Sequence, residues 1–180
     1  MIYAVIVLVL LAILLVGLYN KLAKQRVVVD EASSDIETFL KQRYDMIPNL
    51  VEIVKGYAKH ETETFTKVTE LRAKAMSAGS LEQKMEIEGE LSKAVTKVMA
   101  VAENYPELKA NANFLDLQTN LKELEDNIQK SRRYYNGAAR DFNSMLVVFP
   151  NNLLAGIFGF KNVAFFEATE EEKKNVEIKF

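Results

Sequence analysis

The sequence predicts an all-α protein, with an N-terminal transmembrane helix followed by an antiparallel four-helix bundle. Three observations carry this. No Lys, Arg, Asp or Glu occurs from Met1 to Asn20, although 27% of the chain is charged. Beyond that run, apolar residues recur at three- and four-residue steps, the period of a helix with one buried face. Alternating runs of strand length are missing, apart from a candidate at Val176, Ile178 and Phe180.

The first element is the apolar run Met1 to Tyr19. As a helix it is roughly 28 Å long at 1.5 Å per residue, close to the hydrocarbon thickness of a bilayer. A cleaved signal peptide would carry a basic n-region before the run and a small-x-small site after it. Here Leu18, Tyr19, Asn20 and Lys21 stand at that point, so an uncleaved anchor is expected. Lys21, Lys24 and Arg26 follow directly. By the positive-inside rule they put the bundle in the cytoplasm and a very short N-terminus outside, in a single-pass cell-membrane protein.

The first bundle stripe runs through Leu22, Val29, Ala32, Ile36, Phe39 and Leu40, then Met46, Ile47, Leu50, Ile53, Val54 and Tyr57, with Arg43 interrupting it. It meets the anchor in helical phase, so the anchor is expected to continue into the first bundle helix. Pro48 then poses a choice, because proline lacks an amide proton and disfavours helical dihedrals at Ile47. Either the helix bends there, or one helix ends near Tyr44 and another begins with Pro48 in its first turn. We favour the turn, because it leaves helices of similar length to pack together, although a stripe that keeps phase across the proline argues for the bend.

Ser77, Ala78, Gly79 and Ser80 form the next turn, and Ser80 with Gln83 has capping-box spacing. The helix that follows buries Leu91, Ala94, Val95, Val98 and Ala102 and stops before Tyr105 and Pro106. Asn111 and Asn113 lie at or near the start of the last stripe: Leu117, Leu121, Leu124, Ile128, Ser131, Tyr135, Ala138, Phe142, Met145 and Phe149, ended by Pro150. Its alternating four-three spacing suits bundle packing. The expected organisation is an anchor over residues 1–20, a helical bundle over 21–150, and a Phe-rich segment with a charged tail over 151–180, the charges of Thr169 to Lys174 being solvated.

Several stretches together resemble the LemA family. They are LVGLYNKL from Leu15 to Leu22, RYDMIPNLVEIVKGYAKHE from Arg43 to Glu61, VAENYPELKANANFLDLQ from Val101 to Gln118, SRRYYNGAARDFNSMLVVFP from Ser131 to Pro150, and NNLLAGIFGFK ending at Lys161. The resemblance implies a membrane helix, a short exterior N-terminus and a cytoplasmic helical bundle, and brings no catalytic residues with it. Ser33 is a departure from the family pattern, in which tryptophan is expected at this position in many relatives.

Composition narrows the chemistry. A net charge of −2 gives no basic excess for nucleic acid, and none is expected as a partner. With no cysteine, thiolate nucleophiles, disulfides, iron–sulfur clusters and cysteine-bound zinc are excluded. His60 is the only histidine, so a di-iron bundle site with two Glu-x-x-His motifs cannot be assembled; among charged neighbours it reads as solvent-exposed. No phosphate-loop glycine pattern occurs. We therefore expect no catalytic, cofactor-binding or metal-binding residues and no cofactor.

Two polar features have alternative readings. Arg43 either pairs with a carboxylate across the bundle or snorkels to solvent. Arg132, Arg133, Arg140 and Asp141 around Tyr134 and Tyr135 either bind an anion or partner, or are surface charges over a core tyrosine. The segment Phe149 to Phe166 holds five of the ten phenylalanines and should lie near the membrane. It is either a lid over the base of the bundle or a docking element, with a protein partner favoured over lipid because Lys161 is its only basic residue. The functional expectation is a membrane-anchored interaction or scaffold module, bound to the bilayer through Met1 to Tyr19 and carrying an unidentified protein partner. The alternative is a membrane-tethered sensor or enzyme with an Arg/Tyr-lined site.

Overall fold

A computed structural model describes residues 1–166, and among them every regular element is helical. In chain order these are α1 (Ile2–Tyr57), α2 (Thr62–Ser77), α3 (Leu81–Glu103), α4 (Pro106–Lys109), α5 (Ala112–Val147) and α6 (Asn151–Phe158). The candidate strand at Val176 to Phe180 and the charged stretch Thr169 to Lys174 lie outside the described residues. The described chain forms two compact units: Met1–Asp35 with Ser131–Phe165, and Ile36–Lys130 with Phe166. The long helices α1 and α5 each contribute to both.

In the first unit, α1 is exposed from its start to Gly17, with Leu18 half-buried, and its apolar run is long and apolar enough to cross a membrane. Its buried face begins at Leu22 and continues through Val29 and Ala32. From α5, Tyr135, Ala138, Ala139, Phe142 and Leu146 are buried. Helix α6 turns Leu154 and Ala155 inward and ends at Gly159, whose φ of 73° is a left-handed conformation that glycine adopts without steric cost. The amide of Phe160 then donates to the Ala155 carbonyl at 3.0 Å, closing the helix end.

The second unit contains four long helical pieces, from α1, α2, α3 and α5, which fit an antiparallel four-helix bundle. Its core takes Ile36, Leu40, Ile47, Leu50 and Val54 from α1, Phe65, Val68 and Leu71 from α2, Leu91 and Val98 from α3, and Leu117, Leu121, Leu124 and Ile128 from α5. Ser80 caps α3: its hydroxyl accepts from the Gln83 amide at 3.3 Å, while the Gln83 side-chain oxygen accepts from the Gly79 amide at 2.9 Å. Asn111 does the same for α5, its side-chain oxygen accepting from the Phe114 amide at 3.2 Å. Both caps satisfy amides that a helix start leaves without partners.

The turn favoured near Pro48 is not there. Helix α1 is continuous through Pro48 and breaks at Ala58 to Glu61, where exposed His60 sits. Pro48 faces outward while Ile47 and Leu50 stay buried, so the stripe keeps its phase. A proline inside a helix frees the carbonyl four residues earlier, here that of Tyr44. The Arg72 side chain, on α2, supplies the replacement: its Nε donates to that carbonyl at 2.6 Å. Two stripe ends also differ from expectation. Tyr57 is exposed at the end of α1, and Phe149 lies beyond the end of α5 and is exposed.

The Arg72 contact should be energetically coupled to the proline. Arg72→Met is expected to destabilise the protein by about 1–3 kcal/mol, the cost of stranding a part-buried carbonyl. In a Pro48→Ala background, alanine restores the amide and the same substitution should cost clearly less. Urea unfolding of the four proteins in detergent micelles measures this coupling, and equal costs in both backgrounds would refute it.

Candidate functional site

The second unit encloses a polar cluster built on neighbouring residues of α1. Arg43 is only 3% exposed and Glu88, on α3, is fully buried. The Arg43 Nη1 donates to Glu88 Oε2 at 3.2 Å and to Glu125 Oε2, on α5, at 3.0 Å, while Nη2 donates to Ser92 Oγ at 2.8 Å. The other Glu88 oxygen accepts from the Tyr44 hydroxyl at 2.6 Å. Glu125 also accepts from Gln129 Nε2 at 3.2 Å. One guanidinium thus links three helices, and Tyr44 joins the cluster to the carbonyl held by Arg72.

Local sequence explains the placement. Arg43 stands four residues before Ile47 and three after Leu40, on the buried face of α1. Glu88 stands three residues before Leu91 on the buried face of α3. Isolated charges at these positions would be costly, and mutual pairing with hydrogen bonds on the remaining groups makes them tolerable. Arg43 therefore pairs across the helices rather than reaching solvent. Glu88, Glu125, Ser92 and Arg72 were not anticipated; a glutamate in phase with the α3 stripe was the available signal.

A cleft of about 380 Å³ opens beside this cluster between α3 and α5. Arg43, Ser92 and Glu125 form its polar end, Val95, Met99 and Leu121 contribute apolar wall, and Lys122 and Gln118 also line it. The arginine–tyrosine group on α5 is divided between surface and interior, with Arg132 half-buried. Tyr134, Arg133, Arg140 and Asp141 are exposed, whereas Tyr135 is buried in the first unit with its hydroxyl donating to the Ala164 carbonyl at 2.9 Å.

The first unit holds a second feature, an aromatic cluster at the end of the apolar run. Tyr19 packs against Phe158 at 4.9 Å and Phe160 at 5.8 Å between ring centroids, and Phe160 meets Phe142 edge-on at 6.2 Å. The Arg26 guanidinium lies over the Phe142 ring at 5.9 Å, a favourable cation–π placement. Beyond α6 the chain returns along α5. Asn143 pairs with Val163 through two 2.9 Å hydrogen bonds, its Nδ2 donating to the carbonyl and its Oδ1 accepting from the amide.

Fold and site together define an all-helical protein with a membrane-associating N-terminal helix. The chain belongs to the LemA family, whose model matches residues 32–180. It is 30% identical to Protein LemA of Metamycoplasma hominis over 90% of this chain and 74% of that protein. It is also similar to magnetosome proteins: 28% identical to MamQ 2 of Paramagnetospirillum magneticum and 25% to MamQ of Magnetospirillum gryphiswaldense. Those matches cover 74% of this chain and 59% and 58% of the two relatives. None of these names states a reaction.

The buried pair is testable by removing one side and then both. Arg43→Met leaves the Glu88 carboxylate buried with its cation gone and is expected to cost about 3–5 kcal/mol. Adding Glu88→Met should recover much of that loss, because the interior then holds apolar groups and half-exposed Glu125 can turn to water. Thermal unfolding in micelles decides it. A double variant no more stable than Arg43→Met would contradict the pairing.

Proposed function

We propose that this LemA-family protein is a single-pass membrane-anchored interaction or scaffold module without catalytic activity. In this reading Met1 to Tyr19 lies in the cell membrane, residues 21–150 form the working helical body in the cytoplasm, and residues 151–180 form a Phe-rich segment and charged tail. The observation that carries it is the uninterrupted α1. One helix supplies both the exposed apolar run and the central buried stripe of the second unit, so whatever binds the charged outer faces is tethered to the bilayer. The partner is a protein and not a nucleic acid, in keeping with the nearly balanced charge.

The cleft beside Arg43 supports a second reading, a membrane-tethered ligand sensor. Against it, the Arg43 guanidinium already serves two carboxylates and a hydroxyl. The interaction reading is therefore preferred. Photocross-linking in intact membranes from exposed Lys67, Lys97 and Lys122, each replaced in turn by a photoreactive residue, should capture a discrete protein adduct from at least one face. No adduct from any of them would count against a scaffold.

The side of the membrane is a separate test. Lys21, Lys24 and Arg26 follow the apolar run within the window where basic residues set orientation. The chain has no cysteine, so His60→Cys in the exposed turn after α1 gives a single label site. A membrane-impermeant maleimide is expected to label it only after cell lysis. Equal labelling of intact cells would place the helical body on the opposite side.

A further inference from the structure

We infer that helix α6 and the α5–α6 corner lie in the bilayer interface, with phospholipid covering their outer apolar face. This rests on the membrane attachment of α1 proposed above. Within the first unit, α6 is apolar on both sides beyond its first two residues, buried Asn151 and exposed Asn152. Leu154 and Ala155 face inward and are buried, while Leu153 is 59% and Ile157 75% exposed. A helix that is apolar all round is one whose whole circumference leaves water, in protein or in lipid. Among the described residues, protein covers only the inner side here. Val147, Val148 and Phe149, in the preceding corner, extend the exposed apolar surface, and Phe149 is 75% exposed. An exposed patch of this kind marks a surface that something covers.

Three observations identify the cover as lipid. First, the patch joins the membrane segment directly: Phe158 and Phe160 pack against Tyr19, the last aromatic residue of the apolar run. Second, the levels agree. Arg26 lies over Phe142, which registers α1 against α5. Going seven residues back along α1 reaches Tyr19, roughly 10 Å away at 1.5 Å per residue, and five residues on from Phe142 reaches Val147, the last of α5, roughly 8 Å away. Antiparallel helices therefore bring the corner after Val147 to the end of the apolar run. Third, no Lys, Arg, Asp or Glu occurs from Phe142 to Phe160, as in Met1 to Asn20. Exposed Lys21 and Lys24 follow the first stretch and exposed Lys161 the second, where long basic side chains can reach phosphate headgroups, while exposed Asp141, 3.5 Å from Arg140 Nε, precedes the second. The cationic groups needed at an interface are thus supplied by the flanks and by α1, although α6 itself carries none.

The chain lacks tryptophan, so single reporters are unambiguous. The full chain would be reconstituted into phosphatidylcholine vesicles with or without bromine on the acyl chains. Ile157→Trp tests the corner, with Leu153→Trp as a second variant should the first fail to fold. Leu10→Trp reports the anchor, and Leu115→Trp, exposed on α5 in the second unit, serves as the control. We expect blue-shifted emission and loss of most of it to bromolipid for Leu10→Trp and Ile157→Trp, with Leu115→Trp unaffected. Quenching at Leu10→Trp but not at Ile157→Trp or Leu153→Trp overturns the inference while leaving the anchor intact. Blue-shifted corner emission that bromolipid leaves unchanged also overturns it, since protein, from a partner or a second copy, is then the cover. Quenching at neither Leu10→Trp nor the corner removes the anchor itself, and quenching at Leu115→Trp shows unspecific adsorption and likewise overturns the assignment.

Discussion

The Tyr44 carbonyl oxygen is the constraint on which α1 depends. Pro48 takes away the amide that would bond it, and a mid-helix proline costs about 3 kcal/mol or more through that loss and through steric conflict with the same carbonyl. A hydrogen bond from a charged donor contributes about 1.5–3 kcal/mol, so the Arg72 contact at 2.6 Å is of the right size to offset most of the penalty. The proline ring points to the exposed side, where it displaces no packing. Without this compensation the stripe from Ile36 to Val54 would be divided beside Ile47 and Leu50, both fully buried.

The same short stretch carries the ionic cluster. Arg43 faces its carboxylates, and Tyr44 contributes its hydroxyl to Glu88 and its carbonyl to Arg72. This coupling restricts how the helices can slide. Shifting α1 by one turn would move Arg43 about 5.4 Å along its axis and leave Glu88 buried without its cation, a loss of several kcal/mol. Apolar layers alone discriminate weakly between such registers, because leucine, isoleucine and valine exchange at modest cost. A buried ion pair adds little net stability, but it penalises the wrong alignments heavily.

Most of the fold was legible from periodicity. The stripes of α1, α3 and α5, the Ser80 cap and the stop before Pro106 depend on residues close together in the chain, and the structure has them. The Pro48 region was misread because the decisive partner, Arg72, lies on another helix and leaves no local signal; the phase of the stripe was the better guide. The true break at Ala58 to Glu61 is weakly marked, since Glu61, the residue before α2, makes no side-chain capping bond. Phe149 was assigned to the core by spacing alone, which cannot tell burial in protein from exposure beyond a helix end. For the cluster, Arg43 was visible as an irregularity, but the identity of its partners depended on how three helices meet.

The two units solve different solvation problems with the same kind of helix. In the second, charge enters the core only as a closed set, with each carboxylate oxygen of Glu88 accepting a bond from a donor on α1. In the first, apolar surface is left open where the chain carries no charge at all, around Tyr19 and α6. An aqueous protein exposing Leu153, Ile157 and Phe149 beside a fully exposed apolar helix would invite association through that surface. In a bilayer the same residues become the favourable side of the balance, at about 25 cal/mol for each Å² of apolar surface removed from water. The uncharged run from Phe142 to Phe160 is then explained by the same physics as the run from Met1 to Asn20, with Lys21 and Lys161 standing directly after the two runs.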